Sequence, residues 1–129
     1  MNAVDRVVAE HECARLIAHY ANLNDAGDWP GVTNLFIEGG RLARPSAPDS
    51  WITGREAILA AFEARPARRG RHLCTNIVVN VLSEVEATAT SAIGLFVEGR
   101  PPAVGSFDDR IVRVDGEWKF AERRGSMAY

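Results

Sequence analysis

The sequence predicts an α+β domain in which about three helices close one face of a curved, mainly antiparallel sheet and leave a pocket between the two layers. Three observations carry this expectation. Apolar residues recur at helical spacing near the N-terminus. Runs of β-forming residues, bounded by turn residues, fill the C-terminal half. The length, 129 residues, suits one domain that buries roughly two thirds of its unfolded surface, so a core and a pocket can coexist. Helices that lead and strands that follow argue α+β over an alternating α/β plan.

The first helix is expected from Asp5 to about Leu23, where Val7, Val8, Cys13, Ala14, Leu16, Ile17, Tyr20 and Ala21 form the apolar stripe. Asn24-Asp25-Ala26-Gly27 is expected to break it. Asp28 suits the N-cap of a short helix over 29–36, with Pro30 near its first position. Glu38-Gly39-Gly40 reads as a turn into a short strand near Arg41 to Arg44. Trp51-Ile52-Thr53 reads as a second short strand. A third helix over 54–65 carries Ala57, Ile58, Ala61 and Phe62 on its buried side and ends at Pro66. Long strands follow at His72 to Leu82, Glu86 to Glu98, Val104 to Val114 and Glu117 to Met127. The dipeptide Asp115-Gly116 marks the last hairpin. Unbroken alternation along the first long strand puts His72, Cys74, Asn76 and Val78 on one face.

Composition narrows the function. Hydrophobic residues make up 47% and charged residues 25%, the mix of a globular protein. A net charge of −2 offers no long-range attraction to nucleic acid or an anionic membrane. The N-terminus becomes charged before any signal-peptide core could form, and no apolar run nears the ~20 residues of a membrane span. Two cysteines without a disulfide framework fit a reducing cytoplasm. Nucleotide, zinc and serine-hydrolase motifs are missing, and His11 and Cys13 are poorly spaced for a metal. Neither metal nor organic cofactor is expected. The run Arg65, Arg68, Arg69, Arg71 reads as a solvated helix end and loop, with phosphate binding as the alternative.

Five side chains stand out. Asp25 lies beyond the first helix and is not needed as the cap, since Asp28 fills that role. Tyr20 ends the apolar stripe. His72 opens the first long strand. Arg123 and Arg124 are adjacent on a strand and must point to opposite faces; whichever is buried needs an anionic partner.

These residues, taken in order, resemble a known family. Tyr20, Asp25, Gly27-Asp28-Trp29, Leu35-Phe36, Gly54-Arg55-Glu56-Ala57-Ile58, His72-x-x-Thr75-Asn76, Phe107-Asp108-Asp109, Asp115-Gly116-x-Trp118-x-Phe120 and Arg123 are similar to the SnoaL-like branch of the NTF2-like superfamily. The resemblance is nearest to the group of scytalone dehydratase, bile acid 7α-dehydratase and hexachlorocyclohexane dehydrochlorinase. It implies a cone-shaped, cystatin-like fold and a cofactor-independent lyase or isomerase. An Asp25–His72 pair would act as general base, assisted by Tyr20 and Arg123, both expected to point into the same pocket. A second histidine used by scytalone dehydratase is absent: the matching stretch is Ile93-Gly94-Leu95-Phe96-Val97. The expected substrate is small, mostly apolar and cyclic, with Trp29, Trp51, Phe62, Asn76, Phe96 and Phe107 as candidate lining. Apolar residues on both strand faces, together with the resemblance, imply a homo-oligomer, dimer or trimer. Two other readings stay open: a non-catalytic small-molecule-binding protein, and the small subunit of a ring-hydroxylating dioxygenase.

Overall fold

A computed structural model describes residues 1–66 and 68–127. Helix α1 (Ala3–Ala26) is followed by α2 (Trp29–Thr33), strands β1 (Phe36–Ala43) and β2 (Ile52–Thr53), helix α3 (Arg55–Glu63), and strands β3 (Gly70–Val81), β4 (Glu86–Val97), β5 (Ala103–Val114) and β6 (Glu117–Ser126). The six strands form one curved sheet in the order β2-β1-β6-β5-β4-β3. All neighbours are antiparallel except β1 and β6, which run parallel. The expected α+β architecture is therefore the observed one, with a single parallel pair made by the return of the last strand to the first.

Helix α1 begins where the Asn2 side chain accepts from the Asp5 amide at 2.8 Å. It runs one turn further than the sequence suggests, to Ala26. Gly27 takes the left-handed conformation (φ 70°), its N–H bonds to the Asn24 carbonyl, and the Asp28 N–H bonds to that of Leu23. This pair of bonds closes the helix and lets Asn24 and Asp25 ride on its last turn, oriented by helical geometry. Asp28 caps α2 by accepting from the Gly31 amide at 3.0 Å. The short helix stops at Thr33, and the chain enters β1 at Phe36, earlier than expected. Glu38-Gly39-Gly40 lies within β1 at an irregularity in its pairing with β6. Gly40 is needed there, because a Cβ would meet the Ile37 carbonyl at 3.0 Å and the Phe120 carbonyl at 3.1 Å.

The core lies between the helices and the inner sheet face. Cys13, Leu16, Ile17, Tyr20, Val32, Phe36, Leu42, Ile58, Phe62, Phe107, Ile111 and Phe120 are buried in it. Tyr20 is the hub of an aromatic cluster, meeting Phe36, Phe62, Phe107 and Phe120 edge-on at centroid distances of 5.9–6.4 Å. Such contacts contribute about 0.5–1.5 kcal/mol each beyond area burial.

Two bulges decide which side chains face this core. In β3 the register shifts between Thr75 and Val78, where Asn76 adopts φ 53°. Asparagine tolerates that left-handed conformation better than most residues. The extra residue flips the alternation: His72 and Cys74 face inward, and so do Ile77, Val79 and Val81. Unbroken alternation fails here, and Asn76 is exposed. In β6 the register shifts opposite Arg110 and Ile111, leaving Ala121 as the extra residue. Trp118, Phe120 and Arg123 thereby share the inner face, whereas strict alternation would have placed Glu122 there.

Candidate active site

Asp25 comes off the last turn of α1 directly beneath the start of β3. Its Oδ1 lies 2.5 Å from His72 Nδ1, and its Oδ2 accepts the His72 backbone N–H at 2.9 Å. One carboxylate thus holds both the ring and the main chain of the same residue. Arg71 Nε stands 3.9 Å from Oδ2 on the outer side. The side chains of Asp25 and His72 are only 8% and 14% exposed, so neither is a surface group.

His72 is shared by two adjoining cavities. The first, about 290 Å³, is walled by Tyr20, Phe62, Ile93, Leu95 and Phe107, with Asn24 beside His72 and Arg44, Arg65 and Arg68 also lining it. The second, about 330 Å³, lies toward the end of α1 and is lined by Asp25, Gly27, Trp29 and Pro66, and again by Asn24, Arg65, Arg68, His72 and Leu95. Gly125 shapes the first cavity, since a Cβ there would lie 2.6 Å from the Pro45 ring. Its absence lets Pro45 pack onto β6 and brings Arg44 to the cavity.

The sequence-derived lining separates into three groups. Phe62 and Phe107 wall the first cavity, and Trp29 lines the second while stacking on Phe62 at 5.2 Å. Trp51 does not line either cavity: it packs under the Arg41 guanidinium at 3.9 Å. Asn76 and Phe96 point away. Asn76 is turned out by the β3 bulge, and Phe96, 44% exposed, lies on the outer sheet face because β4 turns Ile93 and Leu95 inward.

Tyr20 and Arg123 have different positions. Tyr20 lines the first cavity, and burial pushes its phenol above the ordinary value; the nearby Arg123 charge opposes that rise without reversing it. Arg123 sits one layer behind the wall and is fully buried, so the expectation that it projects into the pocket is corrected. The β6 bulge and the pairing of Arg123 with Asp109 place it there. Its guanidinium lies 3.8 Å from the Phe107 ring, 4.4 Å from that of Tyr20 and 4.8 Å from that of Phe120. Its NH1 donates to Asp109 Oδ2 at 3.1 Å. The other carboxylate oxygen, two further guanidinium nitrogens and the Ser91 hydroxyl are buried without a hydrogen-bond partner among the described residues. Burial pushes Asp109 up to about 6 despite the arginine at its side.

Sequence reasoning missed Asn24, Arg44 and the role of Arg65. Asn24 had a signal: it lies four residues after Tyr20 and so on the same helix face. Arg65 was expected in solvent, yet it is half-buried and lies over the rings of Phe62 and Trp29 at 5.4 and 5.8 Å. Arg68, Arg69 and Arg71 are exposed.

A curved sheet closed by three helices is the plan of the NTF2-like, cystatin-like class. Within that class the chain belongs to the SnoaL-like domain family, whose model matches residues 5–124. No protein of curated function matches it in sequence. Several solved structures do match. A provisionally assigned scytalone dehydratase from Novosphingobium aromaticivorans is 26% identical with a TM-score of 0.84, over 96% of this chain and 87% of that one. A protein of unknown function from Mycobacterium tuberculosis is 28% identical with a TM-score of 0.84, over 97% and 75%. A hexachlorocyclohexane dehydrochlorinase shares the fold at 17% identity and a TM-score of 0.84, over 99% and 90%. Among the described residues, no helix is long and apolar enough to cross a membrane, and no group of three candidate metal ligands comes together.

Proposed function

We propose that this protein is a cofactor-independent lyase or isomerase that removes a proton from carbon in a small, mostly apolar, cyclic molecule. The observation that carries the reading is the 2.5 Å contact between Asp25 Oδ1 and His72 Nδ1 at the junction of the two cavities. A carboxylate on Nδ1 favours the tautomer with its proton there and leaves Nε2 as a base. Imidazole suits that task at neutral pH, and Asp25 stabilises the imidazolium that results. In an elimination, His72 takes the proton, the C–H electron pair forms the new double bond, and the group on the adjacent carbon leaves with its bonding pair. Tyr20, kept protonated by burial, gives its proton to a leaving hydroxide. Transfer from the imidazolium through solvent then resets both groups, and the net products are alkene and water. In an isomerisation, His72 returns the proton to a different carbon. Arg123, behind the Tyr20 ring, contributes its field and not a direct contact. Likeness to a provisionally assigned scytalone dehydratase supports the elimination branch.

The test is deuterium exchange in D2O, followed by NMR, with a panel of cyclic β-hydroxy ketones, enones and halides. Exchange or elimination above the solvent rate is expected in at least one class. Binding of panel members with no exchange in any of them would make this a binding protein.

We also propose that the protein is a homo-oligomer. On the outer sheet face Leu73 pairs across to Gly94, and Gly94 to Val104, while the Phe96 ring lies over Gly94. Leu73, Phe96 and Val104 are 50%, 44% and 47% exposed and form one patch. A second copy would cover it. Light scattering at micromolar concentration is expected to give a dimer or trimer mass, and Phe96→Glu to shift it toward monomer.

A further inference from the structure

Of the fourteen arginines, five have a carboxylate within ion-pair distance and nine have none among the described residues; what separates three of those nine is that they line one cavity. Arg41, Arg71, Arg110, Arg123 and Arg124 each lie near a carboxylate. Arg44, Arg65 and Arg68 have none within ion-pair distance among the described residues, and all three line the cavity that holds His72 and Tyr20. They arrive from separate parts of the chain. Arg44 follows β1, Arg65 follows α3, and Arg68 precedes β3. Arg65 is not a loose surface group, since the rings of Phe62 and Trp29 hold it. The remaining wall is apolar: Phe62, Ile93, Leu95, Phe107.

We infer that the ligand of this site is an organic anion, an acid group on an apolar ring-sized body, with the acid group bound by Arg44, Arg65 and Arg68. Three cations brought together beside an apolar cavity repel one another, and partial burial raises the cost. The same balance holds the Arg65 guanidinium below its ordinary value: burial acts first, and Arg68 and Arg44 add to it. An anion removes that repulsion and can accept the planar, paired hydrogen bonds that guanidinium groups donate to carboxylate or phosphate. Its apolar body would then lie along Phe62, Phe107, Ile93 and Leu95, between Tyr20 and His72. Asp25 makes no ion pair with these three arginines: its oxygens accept from His72, and the guanidinium within ion-pair distance of it is that of Arg71, at 3.9 Å. Asp109 is likewise paired, to Arg123. The inference rests on reading this cavity as the substrate site and is independent of whether His72 transfers a proton.

The test compares 2-naphthoate, 2-naphthyl phosphate and the neutral 2-naphthamide by isothermal titration at pH 7. At least one of the two anions is expected to bind tenfold or more tightly than the amide, and the better one identifies the acid group. The triple variant Arg44→Gln, Arg65→Gln, Arg68→Gln should lose the preference and keep amide binding. Arg100→Gln, in the turn after β4, should leave the preference unchanged. His72→Ala should keep it as well, although that variant is expected to be inactive, so failure of the anion reading and of the proton-transfer reading remain distinguishable. Amide binding equal to that of both anions overturns the inference. So does a lack of saturable binding by either anion, or a preference that survives the triple variant or vanishes in His72→Ala.

Discussion

Replacing His72 by alanine is expected to bring proton abstraction down to the solvent rate, a loss of at least about 10²–10⁴-fold, the range general-base catalysis supplies. Asp25→Asn is expected to fall in the same range, for a geometric reason. Asp25 accepts two hydrogen bonds, one from the His72 main chain and one from the ring. An asparagine has only one acceptor oxygen. If that oxygen serves the main chain, the amide N–H₂ faces Nδ1 and favours the tautomer protonated on Nε2, which cannot act as base. If the oxygen serves the ring, the amide opposes the backbone N–H, donor against donor. Either arrangement also removes the charge that stabilises the imidazolium. The check is the initial rate of deuterium exchange on a substrate turned over by the wild type, with circular dichroism to verify the fold. Asp25→Asn with exchange near the wild-type rate would remove Asp25 from the mechanism.

Asp109→Ala is expected to destabilise the protein by about 3–5 kcal/mol at neutral pH, measured by urea unfolding. It leaves the fully buried Arg123 guanidinium without its carboxylate. Replacing both partners, Asp109→Leu with Arg123→Met, is expected to recover most of that loss, because no unpaired charge remains. The pair also has a pH signature of definite sign. Burial raises Asp109 to about 6 in the folded protein, above its ordinary 3.8. The folded state therefore binds this proton more readily than the unfolded chain does. The proton-linked part of the stabilisation from Asp109 is fully present below the unfolded value and is lost as pH rises through about 6, leaving at neutral pH the part that comes from pairing with Arg123. The penalty of Asp109→Ala should accordingly shrink between pH 4 and pH 7. A penalty that grows over that range would mean that Arg123 outweighs burial and holds the carboxyl below its ordinary value.

The stability of the Asp109–Arg123 pair and the activity of the Asp25–His72 pair meet at Tyr20. Its ring covers the buried arginine at 4.4 Å, and its side chain lines the cavity that His72 enters. Substitutions at Arg123 are therefore expected to act on catalysis through the position and acidity of Tyr20.

Local pattern was enough for much of this molecule. Helical spacing marked α1 and α3, the Asp28 cap and Pro30 marked α2, and Asp115-Gly116 marked the last hairpin, because these signals depend on a few neighbouring residues. Spacing and resemblance together singled out Asp25 and His72 as candidates. What the sequence could not decide was the facing of residues beyond a bulge. One inserted residue in β3 turned Asn76 out and Ile77 in, and one in β6 put Arg123 and not Glu122 inside; a period-two pattern contains no mark of either slip. Nor could it decide which distant segments meet. Arg44, Arg65 and Arg68 come together only because β1 returns beside β6 and α3 packs over Trp29, and their place on the wall of one cavity is a property of that convergence. Pattern is local, whereas charge balance and cavity walls are summed over every chain segment that reaches one point in space.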